Sequence, residues 1–508
     1  MKPIETFLWH DYETFGAEPM YDRPAQFAAQ RTDTGLNPLG DPVSWFCRPA
    51  DDVLPHPAAC LITGITPQQA VRDGLIETEF AARILAEMAQ PGTCSAGYNS
   101  IRFDDVFTRN LLYRNLRDPY EREYQNGNSR WDLIDLARMC YALRPDGIHW
   151  PMREAASASG AALSVPSFRL EDLARANRIR HEGAHEASAD VEATIALARL
   201  IKSSQPRLFD WALGLRQQKA AMALLDPVEA RPVLHTTARI AASRGCTTLE
   251  LPLAIPPDRP KSVVAFDLMA DPGPLITEPA ETIADLVFTP AADLPVDVER
   301  LPLKLIHSNH VPMLAPMATL RDADPARIGL DPDRCLRHAQ ALQAALPQVR
   351  AKVLEVFSRP FADDGTAGGD IDPDQMLYSG GFFSPGDRHL MRKILQVKPE
   401  DLAGHKWGFA DPRLPLMLFR YRARNYPDTL SAKERSAWDE DRTRRLVAPA
   451  DGRQLGVEQF RAALAEHRSL HAGDERAMHI LDQLEAWLQE SGLLRLWRKN
   501  SATAGDYQ

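Results

Sequence analysis

Apolar and polar positions along the first 200 residues alternate between two textures. Phe7, Leu8 and Trp9 open a short apolar run that continues into Asp11–Thr14 and reads as a strand. A second apolar stretch, Val43–Cys47, follows a Gly/Pro-rich turn at 35–42. Phe80 to Met88 has helical spacing, Cys94 to Tyr98 reads as a strand, and a helix is expected from about Ile101 to Tyr113. Pro166–Leu170 leads into a further helix with Leu170, Leu173 and Ala174 in phase. Val191, Ile195, Ala198 and Ile201 mark the core stripe of a helix over Ala184–Leu200. Alternating strands and helices predict an α/β domain. Small, almost uncharged residues between Glu154 and Val165 predict a flexible surface loop without chemistry.

After Gln205 and Pro206 the texture changes. Short β-type runs at Val233–His235, Ser262–Phe266 and Leu303–Ile306, among many prolines, predict a small β-rich barrel or sandwich. From Asp331 the pattern is helical, with Leu336, Ala339, Leu342 and Leu346 in phase, and a Gly/Asp-rich linker is expected at 360–373. The 508 residues suit three domains at roughly 100–200 residues each. The expected divisions are 1–203, 204–350 and 351–508.

Composition narrows the class. With 44% apolar residues a substantial core can form, and no apolar run approaches the ~20 residues of a membrane span. The first residues reach acidic positions before any signal-peptide core could form. Six scattered cysteines without a CxxC fit neither a zinc site nor a disulfide framework. A cytoplasmic protein with reduced thiols and no membrane association is expected. A net charge of -10, from 59 Lys+Arg against 69 Asp+Glu, argues at first sight against nucleic-acid binding.

The candidate chemistry points the other way. Asp11 and Glu13 are two apart on a strand, so both carboxylates face one side. Asp104 comes early in its helix. Asp190 follows His185 by five residues, a helical turn of about 500° that leaves the side chains roughly 140° apart. They cannot share a helix face, so His185 belongs on the preceding loop and Asp190 in the first turn. Clustered carboxylates repel and need cations, and hard oxygen donors favour Mg²⁺, with Mn²⁺ as a substitute. Two such ions about 3.5–4 Å apart can hold a phosphodiester between an attacking water and a departing oxygen, and a neutral histidine suits the water's proton. Each element alone is commonplace; the ordered combination is not.

That combination resembles the DEDD-type 3′→5′ exonucleases with a histidine before the last aspartate, and within them the bacterial exodeoxyribonuclease I family. The resemblance is carried by FLWHDYETFG at 7–16, DRPAQFAA at 22–29, LITGITP at 61–67 and YNSIRFDD at 98–105. It continues in NSRWDL at 128–133, YALRP at 141–145, SFRLEDL at 167–173, QPRLFD at 205–210 and YRARNYP at 421–427. It implies an RNase H-like exonuclease domain, a small SH3-like β-rich domain and an α-helical C-terminal domain enclosing single-stranded DNA. It also implies processive release of 5′-mononucleotides in DNA repair or recombination. Asp11, Glu13, Asp104 and Asp190 would bind two metal ions, His185 would be the general base, and Glu13 and Arg169 would lie against substrate. The family further implies docking of the C-terminal tail of single-stranded DNA-binding protein. Two departures stand out: the Ala/Ser-rich stretch at 155–164, and the divergent last 75 or so residues, whose role the resemblance leaves open.

Between 101 and 150 eight arginines are interleaved with Tyr113, Tyr120, Tyr124 and Trp131, a combination suited to unstacked bases and phosphates. Eight acidic residues share the segment, so about half of the arginines are expected in structural ion pairs. Arg109, Arg138, Tyr120 and Tyr124 are the candidate strand contacts. Arg144 is the candidate for capturing a partner's terminal carboxylate. The island Arg420, Arg422 and Arg424 reads either as part of the DNA path or as an ordinary exposed face. A monomer is expected. The same chemistry leaves an exoribonuclease, or a non-catalytic single-strand binder, as rivals.

Overall fold

The computed structural model describes residues 4–156, 162–181, 186–290, 292–295, 298–358, 371–447, 449 and 454–505. Its first sheet has the order β3-β2-β1-β4-β5. The strands are β1 (Thr6–Thr14), β2 (Pro24–Thr32), β3 (Val43–Phe46), β4 (Thr93–Gly97) and β5 (Ser129–Asp132). β1 pairs antiparallel with β2 and parallel with β4, and β4 pairs parallel with β5. β1 is central and almost wholly buried, as expected of a strand covered on both faces. The helix Ala187–Ser204 packs across β1 and β2.

One detail of register creates the functional edge. β1 pairs with β2 along nearly its whole length, but with β4 only from Thr6 to Trp9. From His10 onward β1 runs past the carboxyl end of β4, and that end of a parallel pair is where open α/β sheets place their ligands.

Two short strands, β6 (Met152–Ala156) and β7 (Ala162–Pro166), form an antiparallel hairpin. The two ends of the stretch expected as a loop are therefore paired strand; residues 157–161 lie outside the described residues. Small side chains obscured the alternation that would have marked these strands.

The β-rich region is a five-stranded antiparallel sheet in the order β11-β10-β9-β8-β12. Its strands are β8 (Val233–Thr236), β9 (Thr247–Ala254), β10 (Ser262–Asp267), β11 (Leu303–His307) and β12 (Met313–Pro316). The division expected at 350/351 falls inside the helix Leu346–Ser358, whose Val349, Val353 and Val356 share a core with β9.

The C-terminal part is helical. It meets the first domain through two apolar clusters: Tyr113 and Leu116 with Leu377, Met391 and Leu414, and Phe15, Leu54 and Ile65 with Phe460, Leu481 and Leu484. Trp438 Nε1 donates to Asp51 Oδ1 at 3.0 Å and Trp487 Nε1 to the Val53 carbonyl at 2.8 Å. The last helices thus buttress the nuclease fold. All six cysteines are buried and unpaired, and among the described residues no helix is long and apolar enough to cross a membrane.

Candidate active site

Asp11 and Glu13 stand on the overhanging end of β1, and Asp190 in the first turn of the helix Ala187–Ser204. Carboxylate oxygens of the three lie within 4.8 Å of one another. The helix turns Asp190 toward β1 because Val191, Ile195 and Ala198 are committed to the core beneath. Asp104 is the first residue of the helix Asp104–Arg114, which follows β4, and is almost fully buried. Its Oδ1 accepts the main-chain N–H of Tyr12 at 3.0 Å, a donor that β4 no longer satisfies. Asp104 is outside the three-carboxylate group, but it is the neighbouring acid that acts most strongly on Asp11.

Burial and mutual repulsion dominate the electrostatics. Asp11 is pushed well above the ordinary carboxylate range, first by burial and then by Asp104, Asp190 and Glu13. Glu13 is raised to about 8 by burial and by Asp190. Asp104 is likewise raised by burial. Its neighbour Asp105 has the opposite fate. Burial alone would raise it, but Arg122 at 2.7 Å and Arg130 at 2.9 Å hold it well below the usual range. Asp105 is a structural anchor, whereas Asp11 and Glu13 have no Lys or Arg partner among the described residues. Buried acids lacking counter-charge fit divalent cations, and all-oxygen donors suit Mg²⁺ or Mn²⁺.

His185 lies outside the described residues, so its placement relative to Asp190 stays an expectation. A histidine passed over in the sequence, His181, contacts Asp190 Oδ1 through Nε2. Asp132, at the end of β5, was also missed. It accepts main-chain N–H groups of Asn99 at 2.9 Å, Ile101 at 3.1 Å and Ile134 at 3.1 Å, shaping the turn that delivers Asp104. Asn99 sits at φ 65° in that turn. Burial and Asp135 raise Asp132 to about 6.

Asp190 and His181 line a cleft of about 860 Å³ with Arg138, Phe168 and Arg169 on one side. Ile240 and Cys246 of the β-rich region form the facing wall. A second cavity of about 540 Å³ brings Arg102 and Arg109 of the first domain near Lys304, His307 and His310, with Tyr378 from the helical part. Residues of all three regions therefore line these two cavities.

Arg169 is three-quarters exposed at the cleft, 4.0 Å from Glu171. Arg109 and Arg138 line the cavities, yet each is already ion-paired: Arg109 with Glu123 at 2.7 Å and Arg138 with Asp135 at 2.5 Å. Tyr120 is half-buried against Arg109 and edge-on to Phe382, while Tyr124 and Phe382 are exposed. Arg144 donates to the carbonyls of Leu143 and Thr319 and lines a separate cavity with Arg207 and Trp211.

The reading of the 420–424 island as part of the DNA path, or as an exposed face, is corrected. Arg420 is fully buried and pairs with Asp372, Asp374 and Asp441; Arg422 pairs with Glu434; Arg424 pairs with Asp52 and Asp374. Their acidic partners lie far away in sequence, so local charge counting placed them at the surface. Arginines 101–150 follow the same trend: Arg102, Arg114, Arg122 and Arg130 are also ion-paired, mostly in buried settings.

Comparison with known proteins identifies the family. The chain matches an exonuclease family over residues 8–198, the exonuclease I SH3-like domain over 216–359 and the exonuclease I C-terminal domain over 371–491. It is 45% identical to exodeoxyribonuclease I of Escherichia coli (strain K12) over 465 residues, covering 90% of this chain and 94% of that one. The crystal structure of E. coli exonuclease I with a dA16 oligonucleotide superposes with a TM-score of 0.88 at 42% identity, covering 96% of this chain and 100% of that one. The zinc-ion-bound form of an E. coli exonuclease I–single-stranded DNA complex gives a TM-score of 0.86 at 42% identity, covering 96% and 99%. With all three of its regions matched by family models and 90% of its length by a relative 45% identical, the chain belongs to the exodeoxyribonuclease I family.

Proposed function

We propose that this protein degrades single-stranded DNA processively from the 3′ end, releasing 5′-mononucleotides by hydrolysis dependent on two Mg²⁺ ions. The observation that carries the reading is the convergence of Asp11, Glu13 and Asp190 within 4.8 Å, beside Asp104 and, among the described residues, without a Lys or Arg partner for Asp11 and Glu13.

The four acids would hold the metal ions. Bound divalent cations supply positive charge at the scissile phosphate and favour an ionised attacking water. The chain's own residues do the rest. Tyr12 fixes Asp104 through its main-chain N–H, and Asp132 fixes the turn that leads to it. His181 braces Asp190. His185, four residues further on, would take the water's proton on an imidazole nitrogen. Arg169, exposed at the cleft, would meet a substrate phosphate. Exposed Tyr124 and half-buried Tyr120 offer ring faces and edges to unstacked bases, with Arg109 and Arg138 adding positive potential to the channel walls.

The cavity holding Arg144, Arg207 and Trp211 supports docking of an acidic, carboxylate-ended tail such as that of single-stranded DNA-binding protein. Six buried, unpaired cysteines suit action in the reducing bacterial cytoplasm. We take the acting unit to be a monomer.

Matched DNA and RNA oligonucleotides test the substrate. Rapid loss of DNA with little loss of RNA is expected; preferential RNA degradation would sink the assignment. Binding of DNA with Mg²⁺ but no mononucleotide release would instead favour a non-catalytic scaffold.

A further inference from the structure

Arg117 follows the helix Asp104–Arg114 and is partly buried, yet among the described residues no carboxylate lies within ion-pair distance of it. Its Nη2 donates to the Thr78 carbonyl at 3.2 Å, and its Nε has no hydrogen-bond partner. Desolvation lowers its pKa, and the groups that oppose this are tyrosines rather than acids. Arg122 is fully buried; it shares Asp105 with Arg130, and its own Nε and Nη1 are unpartnered. Both arginines line a cavity of about 240 Å³ between the nuclease domain and the helical part.

The opposite wall is the helix Pro385–Ile394, which contributes Arg388 and Arg392. Arg392 is exposed and has no acidic partner among the described residues. Two acids also reach the cavity. Asp118 is 4.0 Å from Arg388 and is occupied by the main-chain N–H groups of Tyr120 and Glu121, each at 2.9 Å. Glu121 is the second. With Arg122 held by Asp105, three guanidinium groups against two carboxylates leave net positive charge in a partly enclosed space. Leu116 and Met391 add an apolar surface beside it.

Guanidinium groups next to an apolar wall suit a phosphate monoester attached to a flat, apolar-faced group. We propose that this interdomain cavity binds a 5′-mononucleotide, its phosphate on Arg117, Arg388 and Arg392 and its base against Leu116 and Met391. The assignment rests on the exonuclease reading above, under which every turnover releases such a molecule. The segment from Arg117 to Asn128, which supplies much of this wall, also contains Tyr120 and Tyr124, outside the lining itself.

The test uses the full-length protein in EDTA, with dAMP as the probe and calorimetry as the readout. Inorganic phosphate and deoxyadenosine form separate arms. Saturable dAMP binding is expected, weaker binding of phosphate alone, and none of deoxyadenosine. Arg392→Glu, and Arg388→Glu with Arg392→Glu, should weaken dAMP by about tenfold or more, whereas Glu13→Gln should leave it unchanged. Binding that survives both arginine changes, or that vanishes with Glu13→Gln, would overturn the proposal. Phosphate binding as tightly as dAMP would overturn the mononucleotide assignment. Because EDTA removes hydrolysis from the readout, failure of the exonuclease reading shows separately, as absent DNA cleavage in Mg²⁺.

Discussion

The main-chain N–H of Tyr12 donates to Asp104 Oδ1 at 3.0 Å, tying the helix that follows β4 to the part of β1 lying between Asp11 and Glu13. That bond exists because β4 stops pairing with β1 at Trp9. A sheet irregularity thus leaves a donor open, and an acid from another element fills it. Backbone geometry holds Asp104 against the strand that carries Asp11 and Glu13.

His181 and His185 separate cleanly by experiment. His185→Ala should lower the rate by about 10²–10⁴-fold, the usual contribution of a general base, with single-strand affinity retained. His181→Ala removes the brace on Asp190. It should chiefly raise the Mg²⁺ concentration needed for half-maximal rate, by roughly 10–100-fold. Rate against Mg²⁺ for both variants decides the roles; the reverse pattern would move the base to His181.

The nuclease domain and the helical part are locked by buried charge. Asp52 accepts from Arg424 at 2.9 Å and Arg445 at 3.0 Å. Asp52→Ala would remove one carboxylate from each guanidinium, leaving Arg424 with Asp374 and Arg445 with Asp441, and should cost up to about 3–5 kcal/mol in denaturant unfolding. Arg72→Ala, which breaks the exposed pair with Asp73, should leave the midpoint almost unmoved.

The same network sets an acid limit. Burial alone would raise Asp52 and Asp441, but Arg424 and Arg445 hold Asp52, and Arg445 and Arg420 hold Asp441, below the ordinary carboxylate range. Depressed folded-state values contribute stability above the unfolded pKa of about 3.9, lost as pH falls through the folded values. The wild-type unfolding midpoint should therefore drop steeply below about pH 4, and Asp52→Asn should show a lower midpoint at neutral pH with a shallower acid decline. Parallel profiles for the two proteins would contradict the network's role.

Arg144 should matter for a partner and not for chemistry. Arg144→Ala should weaken a fluorescent acidic peptide with a free C-terminal carboxylate by about tenfold, measured by anisotropy. Hydrolysis of naked oligonucleotides should be unchanged. Equal peptide binding by both proteins would remove Arg144 from the docking surface.

Much of the site was legible in the sequence because its chemistry is written at short range. The two-residue spacing of Asp11 and Glu13 on a strand, and Asp190 in the opening turn of an apolar-striped helix, can each be read locally and are found so placed. The β2 and β9 strands escaped notice: PAQFAAQRT and TTLELPLA are buried along nearly their whole length and lack the alternation of a half-exposed strand. Arginine roles were the least legible. Arg420 and Arg424 meet acids from other parts of the chain, and only the fold reveals whether a guanidinium faces solvent or a buried carboxylate.

Metal-dependent removal of mononucleotides from the 3′ end is the activity that the acidic cluster implies. It is tested most directly by a time course on single-stranded DNA carrying a label at either end, with Mg²⁺ and with EDTA. In Mg²⁺, a 3′ label should appear at once as mononucleotide, while a 5′ label should remain on long and then shortening strands; EDTA or Asp190→Ala should stop both. Early release of 5′-labelled mononucleotide, or undiminished cleavage in EDTA, would contradict it.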